Sequence, residues 1–478
     1  MLQQFACPTD GYTEAVLRDI MAIAPGDVPA HVIDAMGMLL MDTTGVMLGA
    51  RTAPGVQAVH DRYFRWENAG TATALLTGAH MSPPSAALVN ATAAHALDFD
   101  DLHDRARVHT FCVLLPTLVA VAEQMQAEGR RVSGAQFFNA LAIGAELNAR
   151  LGLACQESLA HGWHPTMVFG ILSGAVAGAA MMGLDARRVG DALGIALHQA
   201  SGSAQATRDG SLSKRVGAGF AARGAVTAVF LAADGITGIH RSLEGTAGLY
   251  ALYERDQVDP LTVSAGWGVR WHAGEYSVKP YPCCRCNHSV IDLALALRAE
   301  GVRAEDVQQA ELYMCELNRV TVGLPYDNPQ GDVVRAQFNA GYGFSLALTQ
   351  GFPNLSHYRA PVRPAQPVAE LARRTRVLAD EAMKGNDIEP ARVRLTLRDG
   401  RVIERSTKSM SGSPGAPMSP QALARKFDDC VMHGFGGTAE QATHVRQGLG
   451  ALRHAPDLVE ALAAALAPLR PVAPIAAV

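Results

Sequence analysis

The stretch His95-Ala-Leu-Asp-Phe-Asp-Asp-Leu-His103, followed by His109, lies between two apolar, alanine-rich segments that favour buried helices. It contains three carboxylates, those of Asp98, Asp100 and Asp101. Acids and imidazoles are costly to bury unless they are paired or hydrogen-bonded. A helical core that encloses so many of them in one loop predicts that this loop carries chemistry.

Apolar segments with helical spacing recur through residues 12–270, and the alternation typical of strands is rare there. Ser133 and Asp185 are suited to cap the helices that follow them, and the glycine at 183 marks a helix end. The density of glycine and alanine indicates closely packed helices in a large bundle. We expect helices over residues 32–48, 84–97, 117–126, 135–151, 167–184, 191–201 and 218–234.

The pattern changes after about residue 275. Residues 307–315 and Ala391–Leu397 alternate as strands do, and the second turns at Asp399-Gly400 into a further strand over 401–405. Helical segments lie between the strands, so this part is predicted to be an α+β module. The expected helices cover His288–Ala299, 337–350 and 368–377, and after a glycine- and proline-rich linker over 410–418 helices return at 419–431 and 454–466.

A chain of 478 residues is too long for one ordinary core. We therefore predict a mainly α protein, in which a large, discontinuous, all-helical domain is interrupted by a smaller α+β domain. The helical domain is expected to take residues 1–272 and the returning helices of 413–478, and the α+β domain residues 273–412.

Composition and charge restrict the class of protein. Hydrophobic residues make up 49% and charged residues 18% of the chain, which is typical of a globular protein, and a net charge of -4 gives no reason to expect nucleic-acid binding. The N-terminus lacks a signal-peptide pattern. The uncharged segment 167–184 is rich in small residues and suits a packed core helix better than a membrane span. Eight cysteines in so long a chain fit a reducing compartment, so we predict a cytoplasmic protein with neither nucleic acid nor membrane as a partner.

The motifs that hold nucleotides, activate serine nucleophiles or bind zinc in proteases are missing from the sequence, which leaves acid, base and cationic side chains. His164 lies between Trp163 and Pro165 at a helix start, where an imidazole stays neutral and suits a base. Lys214 and Arg215 precede a glycine- and alanine-rich helix, and two cations there favour a ligand that bears a carboxylate.

A second cationic set opens the α+β module. Lys279, Arg285 and His288 lie in a loop that two prolines stiffen, and arginine recognises carboxylates in a bidentate manner. The cysteines at 283, 284 and 286 lack a second ligand pair at zinc-site spacing, so we interpret them as packed thiols. The chemistry suggested is proton removal next to a carboxylate, and it requires neither a metal nor a redox cofactor.

These residues together resemble the MmgE/PrpD family, which includes 2-methylcitrate dehydratase, cis-aconitate decarboxylase and iminodisuccinate epimerase. The similarity runs from about residue 10 to about residue 465, and it is specific for the family rather than for one activity. The matching pieces are His95-Ala-Leu-Asp-Phe-Asp-Asp101, His109 with Leu115-Pro116, Gly162-Trp-His-Pro-Thr166, Ala192-Leu-Gly-Ile-Ala196 with Gln199-Ala-Ser-Gly202, Asp209-Gly-Ser-Leu-Ser-Lys-Arg215 with Gly219-Phe-Ala-Ala222, and Lys279-Pro-Tyr-Pro-Cys-Cys-Arg285 with His288.

The resemblance implies a homodimer, a cleft between a helical and a lid domain, and cofactor-independent lyase or isomerase chemistry on small polycarboxylates. Position by position, Asp98, His109, His164 and Lys214 match the family's active-site set. The predicted substrate-binding residues are Arg215, Lys279, Cys284, Arg285 and His288.

Several positions depart from the pattern of that family. Leu102 replaces a common threonine, Thr110-Phe111 a Pro-Ser pair, and Gly217 a common histidine. Cys284 stands where the decarboxylase branch has histidine, and Asn339-Ala-Gly341 replaces a serine-containing stretch. The pocket is therefore expected to be less polar than usual, or shaped for a different acid, which weakens a decarboxylase assignment most and a methylcitrate dehydratase assignment as well.

The predicted reaction is abstraction of a proton next to a carboxylate, most specifically a 2-methylcitrate dehydratase-like elimination of water. Asp98 or His164 is expected to take the proton, His109 to assist as acid, and Lys214 with the lid cations to hold carboxylates. One alternative is an epimerase of an iminodisuccinate-like acid. A further alternative is a cis-aconitate decarboxylase-like enzyme, or a family member without catalytic activity.

Overall fold

The computed structural model of the protein describes residues 11–383 and 387–469. Its first part is built from helices whose buried faces are apolar and whose close contacts rely on small residues. These helices are α1 (Tyr12–Met21), α2 (Ala30–Gly49), α3 (Val56–Trp66), α4 (Pro83–Ala94), α5 (Phe111–Ala127), α6 (Gly134–Ala154), α7 (Pro165–Met181), α8 (Ala186–Leu197), α9 (Gln205–Arg208), α10 (Ser213–Ala233), α11 (Leu249–Glu254) and α12 (Pro260–Ser264).

Helix α10 is central to this part and packs against α4, α5, α7 and α8. Gly219 faces α4 so closely that a Cβ there would lie 2.7 Å from the carbonyl oxygen of Leu88. Helix α10 carries Lys214 in its first turn, and α4 ends just before His95. The packing of these two helices therefore sets the distance between Lys214 and the acidic loop that begins at His95.

A small antiparallel hairpin, β1 (Ala72–Ala74) with β2 (Ala79–Met81), interrupts the helices. The sequence analysis did not anticipate it, because three-residue strands leave almost no alternating pattern to detect.

The lid domain is an α+β layer structure. Its sheet has the order β4-β3-β5-β6, in which β3 and β4 are parallel and the other neighbours antiparallel. Helices α13 and α16 pack against each other, and α13 covers β5. The elements are α13 (His288–Ala299), β3 (Val307–Met314), α14 (Glu316–Val322), α15 (Val333–Gln337), α16 (Ala340–Gln350), α17 (Gln366–Arg373), β4 (Thr375–Ala379), β5 (Ala391–Leu397) and β6 (Val402–Thr407).

Three helices then return to the first part: α18 (Pro420–Phe435), α19 (Ala439–Ala451) and α20 (Leu458–Leu466). Helix α18 packs on α2, where the buried ammonium group of Lys426 lies 2.6 Å from Asp42. One apolar core joins these helices to α1–α12, and a second core fills the lid domain. The predicted mainly α architecture, with a discontinuous helical domain and a smaller α+β domain, is confirmed.

Local differences from the predicted elements have physical causes. Helix α5 begins at Phe111, not at 117, because Asp101 accepts hydrogen bonds from the backbone amides of Thr110 and Phe111. The helix therefore contains Pro116 in its interior. The predicted helix 368–377 is wrong in its second half, which forms β4 beside β3. The helix expected over 337–350 is broken in two by Asn339, whose side chain caps α16. Helix α19, which was not predicted, begins with a capping box at Thr438 and Gln441.

Two helical stretches among the described residues are long and apolar enough to cross a membrane by length and composition, Ala30–Thr52 and Ser213–Ala233. Within this fold 67% and 61% of their apolar windows are buried. Packing against neighbouring helices therefore accounts for their apolar character.

Candidate active site

The loop between α4 and α5 positions the acidic motif. Asp98 adopts a left-handed backbone conformation with φ of 52°, which non-glycine residues rarely adopt. Lys279, from the start of the lid domain, donates a hydrogen bond of 2.8 Å to the backbone oxygen of Asp98 and lies 3.5 Å from its carboxylate. The unusual conformation is therefore held by a residue 181 positions away, and it aims the Asp98 carboxylate into the protein.

Two ammonium groups share the Asp98 carboxylate. Lys214 donates a hydrogen bond of 2.8 Å to its Oδ1 atom, whereas Lys279 lies near Oδ2, and all three side chains are buried. Burial alone would raise the pKa of Asp98, but the two lysines outweigh it and hold this pKa far below its usual range. Burial would also lower the pKa of Lys279, and the carboxylates of Asp98 and Asp100 raise it instead. The Asp98 carboxylate and the Lys279 ammonium group therefore stay ionised, and two lysines against one carboxylate give the trio one surplus positive charge.

A histidine network adjoins the trio. The Nδ1 atom of His95 lies 2.8 Å from Oδ2 of Asp100, and its Nε2 atom lies 3.1 Å from the ammonium group of Lys214. Since an ammonium group only donates, His95 accepts through Nε2 and carries its proton on Nδ1. Burial, followed by the charge of Lys214, lowers the pKa of His95 to about 4, so this ring is a neutral connector.

His109 lies beside the same Asp100 oxygen as His95. Its Nδ1 atom lies 3.2 Å from the same Oδ2 atom of Asp100, its ring centroid is 4.9 Å from that of His95, and its side chain is 12% exposed. This Nδ1 atom makes no hydrogen bond among the described residues, so the Asp100 carboxylate is a charge beside the ring rather than its hydrogen-bond acceptor. The arrangement gives His109 the geometry of an acid or base that faces the site.

His164 caps the N-terminus of α7, and its ring centroid is 6.4 Å from that of His95. The Nδ1 atom of His164 is buried and has no hydrogen-bond partner among the described residues. Burial, with the positive charge of Lys214 next, lowers the pKa of His164 well below its usual value. The hydroxyl group of Thr166, on the same helix, accepts a hydrogen bond of 3.0 Å from the backbone N–H of His109 and so ties the two imidazole-bearing segments together.

Met167 occupies the space beside Gly217, which replaces a histidine that is common in the resembled family. A Cβ atom built on Gly217 would overlap the terminal methyl group and the sulfur atom of Met167, and a Cβ on Gly202 would lie 2.7 Å from that sulfur. A thioether therefore lies against Gly217, at the position where the resemblance leads one to expect an imidazole.

The cationic residues Arg215, Arg285 and His288 lie in different surroundings. Arg215 donates to the backbone oxygen of Pro54 at 2.7 Å. Arg285 binds Asp104 through Nε and Nη2 at 3.1 and 3.2 Å, and its Nη1 atom lies 3.1 Å from Nδ1 of His288. Each of these three side chains thus contacts protein groups. The carboxylate that Arg285 binds, that of Asp104, belongs to the helical domain.

Cys284 and Leu102, two positions that depart from the pattern of the resembled family, have different neighbours. The thiol of Cys284 is close enough to the Cys286 thiol, Asp98 and Lys279 for each to affect its pKa, and the contact with Cys286 is the largest effect and lowers it. Leu102 packs in a small apolar cluster with residues of the lid domain, including Met410. The departure at 102 therefore contributes to the contact between the domains.

A cleft of about 780 Å³ lies between loops of the lid domain and α18. Phe99 and Pro280 line it, and they are the chain neighbours of Asp98 and Lys279. The cleft is therefore lined by residues that directly follow Asp98 and Lys279 in the chain.

His95, Asp100 and His109 also converge closely enough to be considered as metal ligands. The Lys214 ammonium group, 3.1 Å from His95, and the charge of Lys279 oppose a cation at this position. The trio and its imidazoles suit an anionic ligand and proton transfer better.

The structure brings together Asp98, His109, His164, Lys214 and Lys279. The motif that opens the sequence analysis contains His95 and Asp100, but neither residue was predicted to belong to the site. The spacing of five residues between the two was visible, yet only the loop conformation shows that both imidazoles share one carboxylate oxygen.

Comparisons with known proteins agree with this architecture. The cis-aconitate decarboxylase-like protein oryM of Aspergillus oryzae is 28% identical over 420 residues, which cover 83% of this chain and 86% of that protein. Cis-aconitate decarboxylase of Aspergillus terreus is 27% identical over 439 residues, covering 87% and 88%, and that of Homo sapiens 25% over 427 residues, covering 87% and 86%. The MmgE/PrpD N-terminal domain model matches residues 18–260 and the C-terminal domain model residues 281–448. The resemblance noted in the sequence is thereby confirmed, and the chain belongs to the MmgE/PrpD family.

Proposed function

We propose that this protein is a cofactor-independent lyase that abstracts a proton next to a carboxylate of a small polycarboxylic acid. The observation that carries the proposal is the buried Lys214–Asp98–Lys279 trio, whose surplus positive charge lies beside the two imidazoles of His109 and His164. Preorganised cations in a water-poor site stabilise the charge that develops on a carboxylate when the adjacent carbon is deprotonated.

The imidazoles divide the proton transfers between them. His164 is neutral, and its Nδ1 atom has no partner among the described residues, so it suits the base. His109 lies on the other side of the His95 ring contact, and its side chain is partly exposed, so its position suits the acid that protonates a leaving hydroxyl group. Asp98 is a poor base here, since both lysines stabilise its ionised form.

Elimination of water from a 2-methylcitrate-like hydroxy acid is the reaction that uses all of these groups. It needs one base for the proton at carbon, one acid for the departing hydroxyl group and cations for the carboxylates, which the trio and the two imidazoles supply. The family membership supports this class of chemistry.

Decarboxylation of a cis-aconitate-like acid is the second candidate. The relatives named as cis-aconitate decarboxylases support it, and so does the apolar contact of Met167 with Gly217, because loss of CO₂ is favoured where a carboxylate is poorly solvated. Cys284, rather than a histidine, stands against it.

Proton NMR in D₂O distinguishes these reactions. The purified enzyme is incubated separately with 2-methylcitrate, citrate, cis-aconitate and freshly generated iminodisuccinate. New alkene signals from a hydroxy acid support the proposal, whereas CO₂ release from cis-aconitate would replace it with decarboxylation. Loss of an α-proton signal without a new compound would indicate an epimerase, and no change with any of the four acids would contradict the proposed class of substrate.

The assignment of the base is tested by deuterium exchange. His164→Gln should abolish incorporation of deuterium at the carbon next to the carboxylate, whereas His109→Gln should allow exchange and block elimination. Exchange that persists in His164→Gln would transfer the role of base to another group.

A further inference from the structure

His103 belongs to the opening motif but takes no part in the proposed chemistry. Its side chain is 1% exposed, and its Nε2 atom has no hydrogen-bond partner among the described residues. Its Nδ1 atom lies 3.2 Å from the backbone N–H of Ala106, and its ring stands edge-on to Tyr276 with centroids 5.0 Å apart. The ring is therefore fixed, and a buried nitrogen without a partner is a feature that calls for an explanation.

The free nitrogen points at a carboxylate and a second imidazole. Oε2 of Glu275 lies 3.8 Å from Nε2 of His103 and 3.3 Å from Nδ1 of His272. Ligand atoms at the corners of a tetrahedral zinc ion, with bonds of about 2.0–2.1 Å, are about 3.3 Å apart. The distance of 3.3 Å matches this value and that of 3.8 Å is longer, and all three atoms lie within 4.8 Å of one another.

The backbone that carries these ligands is rigid. Glu146 accepts hydrogen bonds of 2.6 and 2.8 Å from the amides of His272 and Ala273, and Leu102 pairs with Ser277 as an isolated bridge. The hydrogen-bond contact of 3.3 Å between His272 and Glu275 accounts for two members of the group, but it leaves Nε2 of His103 without a partner. A cation at the centre would give all three of these facing atoms a common partner.

We propose that His103, His272 and Glu275 bind one divalent transition-metal ion of the zinc type at the junction of the helical and lid domains. Two imidazole nitrogens and one carboxylate are a ligand set that zinc prefers, with the fourth position left to water. The side chain of Glu275 is 40% exposed, which gives the ion a path from solvent.

Two neighbouring groups oppose the ion and are part of the proposal. Nη1 of Arg105 lies 3.8 Å from Glu275, and because its side chain is 70% exposed it is free to turn into solvent when a cation binds. Coordination through Nε2 moves the proton of His103 to Nδ1, which gives up the 3.2 Å contact with Ala106.

The position of the site determines what the ion would do. His103 lies in the same loop as Asp98, and Glu275 precedes Lys279 by four residues. An ion that joins His103 to Glu275 would clamp these two segments together, and it would stabilise the interface without touching the substrate.

Cobalt titration of the full-length protein, first dialysed against a chelator, tests the site. Tetrahedral Co²⁺ gives visible absorption bands, which Zn²⁺ should abolish by displacement. We expect one ion per chain, and Glu275→Gln and His272→Gln should each weaken binding by at least about tenfold. Thermal unfolding with and without Zn²⁺ should show a stabilisation in the wild type that both variants lose.

Two control variants locate the ion. His60→Gln removes an imidazole that also lies beside a carboxylate, Asp61, but far from this site in sequence, and it should bind Co²⁺ normally. His109→Gln should bind normally as well. Absence of binding in the wild type, unchanged binding in Glu275→Gln, or loss of binding in His109→Gln alone would each overturn the proposal.

Discussion

The ammonium group of Lys214 donates a hydrogen bond of 2.8 Å to the carboxylate of Asp98, although the two residues are 116 positions apart and both side chains are buried. Lys214→Met should therefore reduce turnover by at least about 100-fold, because a preorganised cation is lost. It should also lower the free energy of unfolding by about 3 kcal/mol, since a buried charge loses a partner. NMR assays of turnover and denaturant unfolding measure the two effects.

The triple variant Asp98→Asn/Lys214→Met/Lys279→Met separates these effects. It should recover most of the stability, because no member of the trio remains as an unpaired buried charge, and it should stay inactive. Lys408→Met, at an exposed lysine, is the matched control and should change neither quantity. Turnover in Lys214→Met within a factor of two of the wild type would rule out the proposed role.

Asp100→Asn tests the carboxylate that lies beside both imidazoles. The variant no longer offers a charged oxygen to His95 and His109, so kcat should fall about 10²- to 10⁴-fold while KM changes little. The control is Asp61→Asn, which removes a carboxylate 2.9 Å from the imidazole of His60 outside the site and should leave kcat unchanged. A large rise in KM at constant kcat would instead assign Asp100 to substrate binding.

Asp101 makes stability depend on pH in a definite direction. Burial, with the charge of Asp100 next, raises the pKa of Asp101 to about 8, although backbone amides donate to it. Between about pH 4 and pH 8 the unfolded chain ionises this group and the folded protein keeps it protonated, so its contribution to stability falls as pH rises, by up to about 1.4 kcal/mol per pH unit.

Asp101→Asn removes that contribution and keeps an oxygen that accepts from Thr110. Denaturant unfolding of both proteins at pH 5, 6, 7 and 8 should show the variant gaining stability relative to the wild type at each step. Parallel pH profiles for the two proteins would show that Asp101 is ionised in the folded state throughout this range.

Met167 and Gly217 form a packing pair in which the effect of one substitution should reverse with the other. Gly217→Ala alone should destabilise the protein, because the new methyl group overlaps the Met167 side chain. In a Met167→Ala background the same change should stabilise it by about 1 kcal/mol, since alanine is the better helix former. A double-mutant cycle of thermal unfolding measures the difference, and additive effects would contradict the packing described here.

Most of the fold was predictable from the sequence because long amphipathic and apolar helices carry strong local signals. His288–Ala299 and Ala391–Leu397 were predicted with the bounds that the structure shows. The failures lie where tertiary contacts override local pattern, as in β4, which forms a strand because β3 offers it a parallel partner. The start of α5 also depends on a cap from Asp101, which lies outside the helix.

The candidate site was predictable in its membership more than in its geometry. The sequence motifs supplied Asp98, His109, His164, Lys214 and Lys279, and the structure brings all five together. No sequence pattern indicates which polar atoms meet, since that depends on how the domains pack. The side chains of Arg285 and His288, predicted to bind substrate, contact each other, and Arg285 also binds Asp104 of the helical domain.

The sequence by itself determined the fold class, the family and the supply of acid, base and cationic groups, because helical periodicity and short motifs are local properties of a chain. Only the tertiary structure decided that one oxygen of Asp100 lies beside both His95 and His109. It also decided that two lysines from different domains contact the Asp98 carboxylate, and that Met167 fills the space beside Gly217. Charge and hydrogen bonding act over a few ångströms in space, and the residues that come so close here are up to 181 positions apart in the chain.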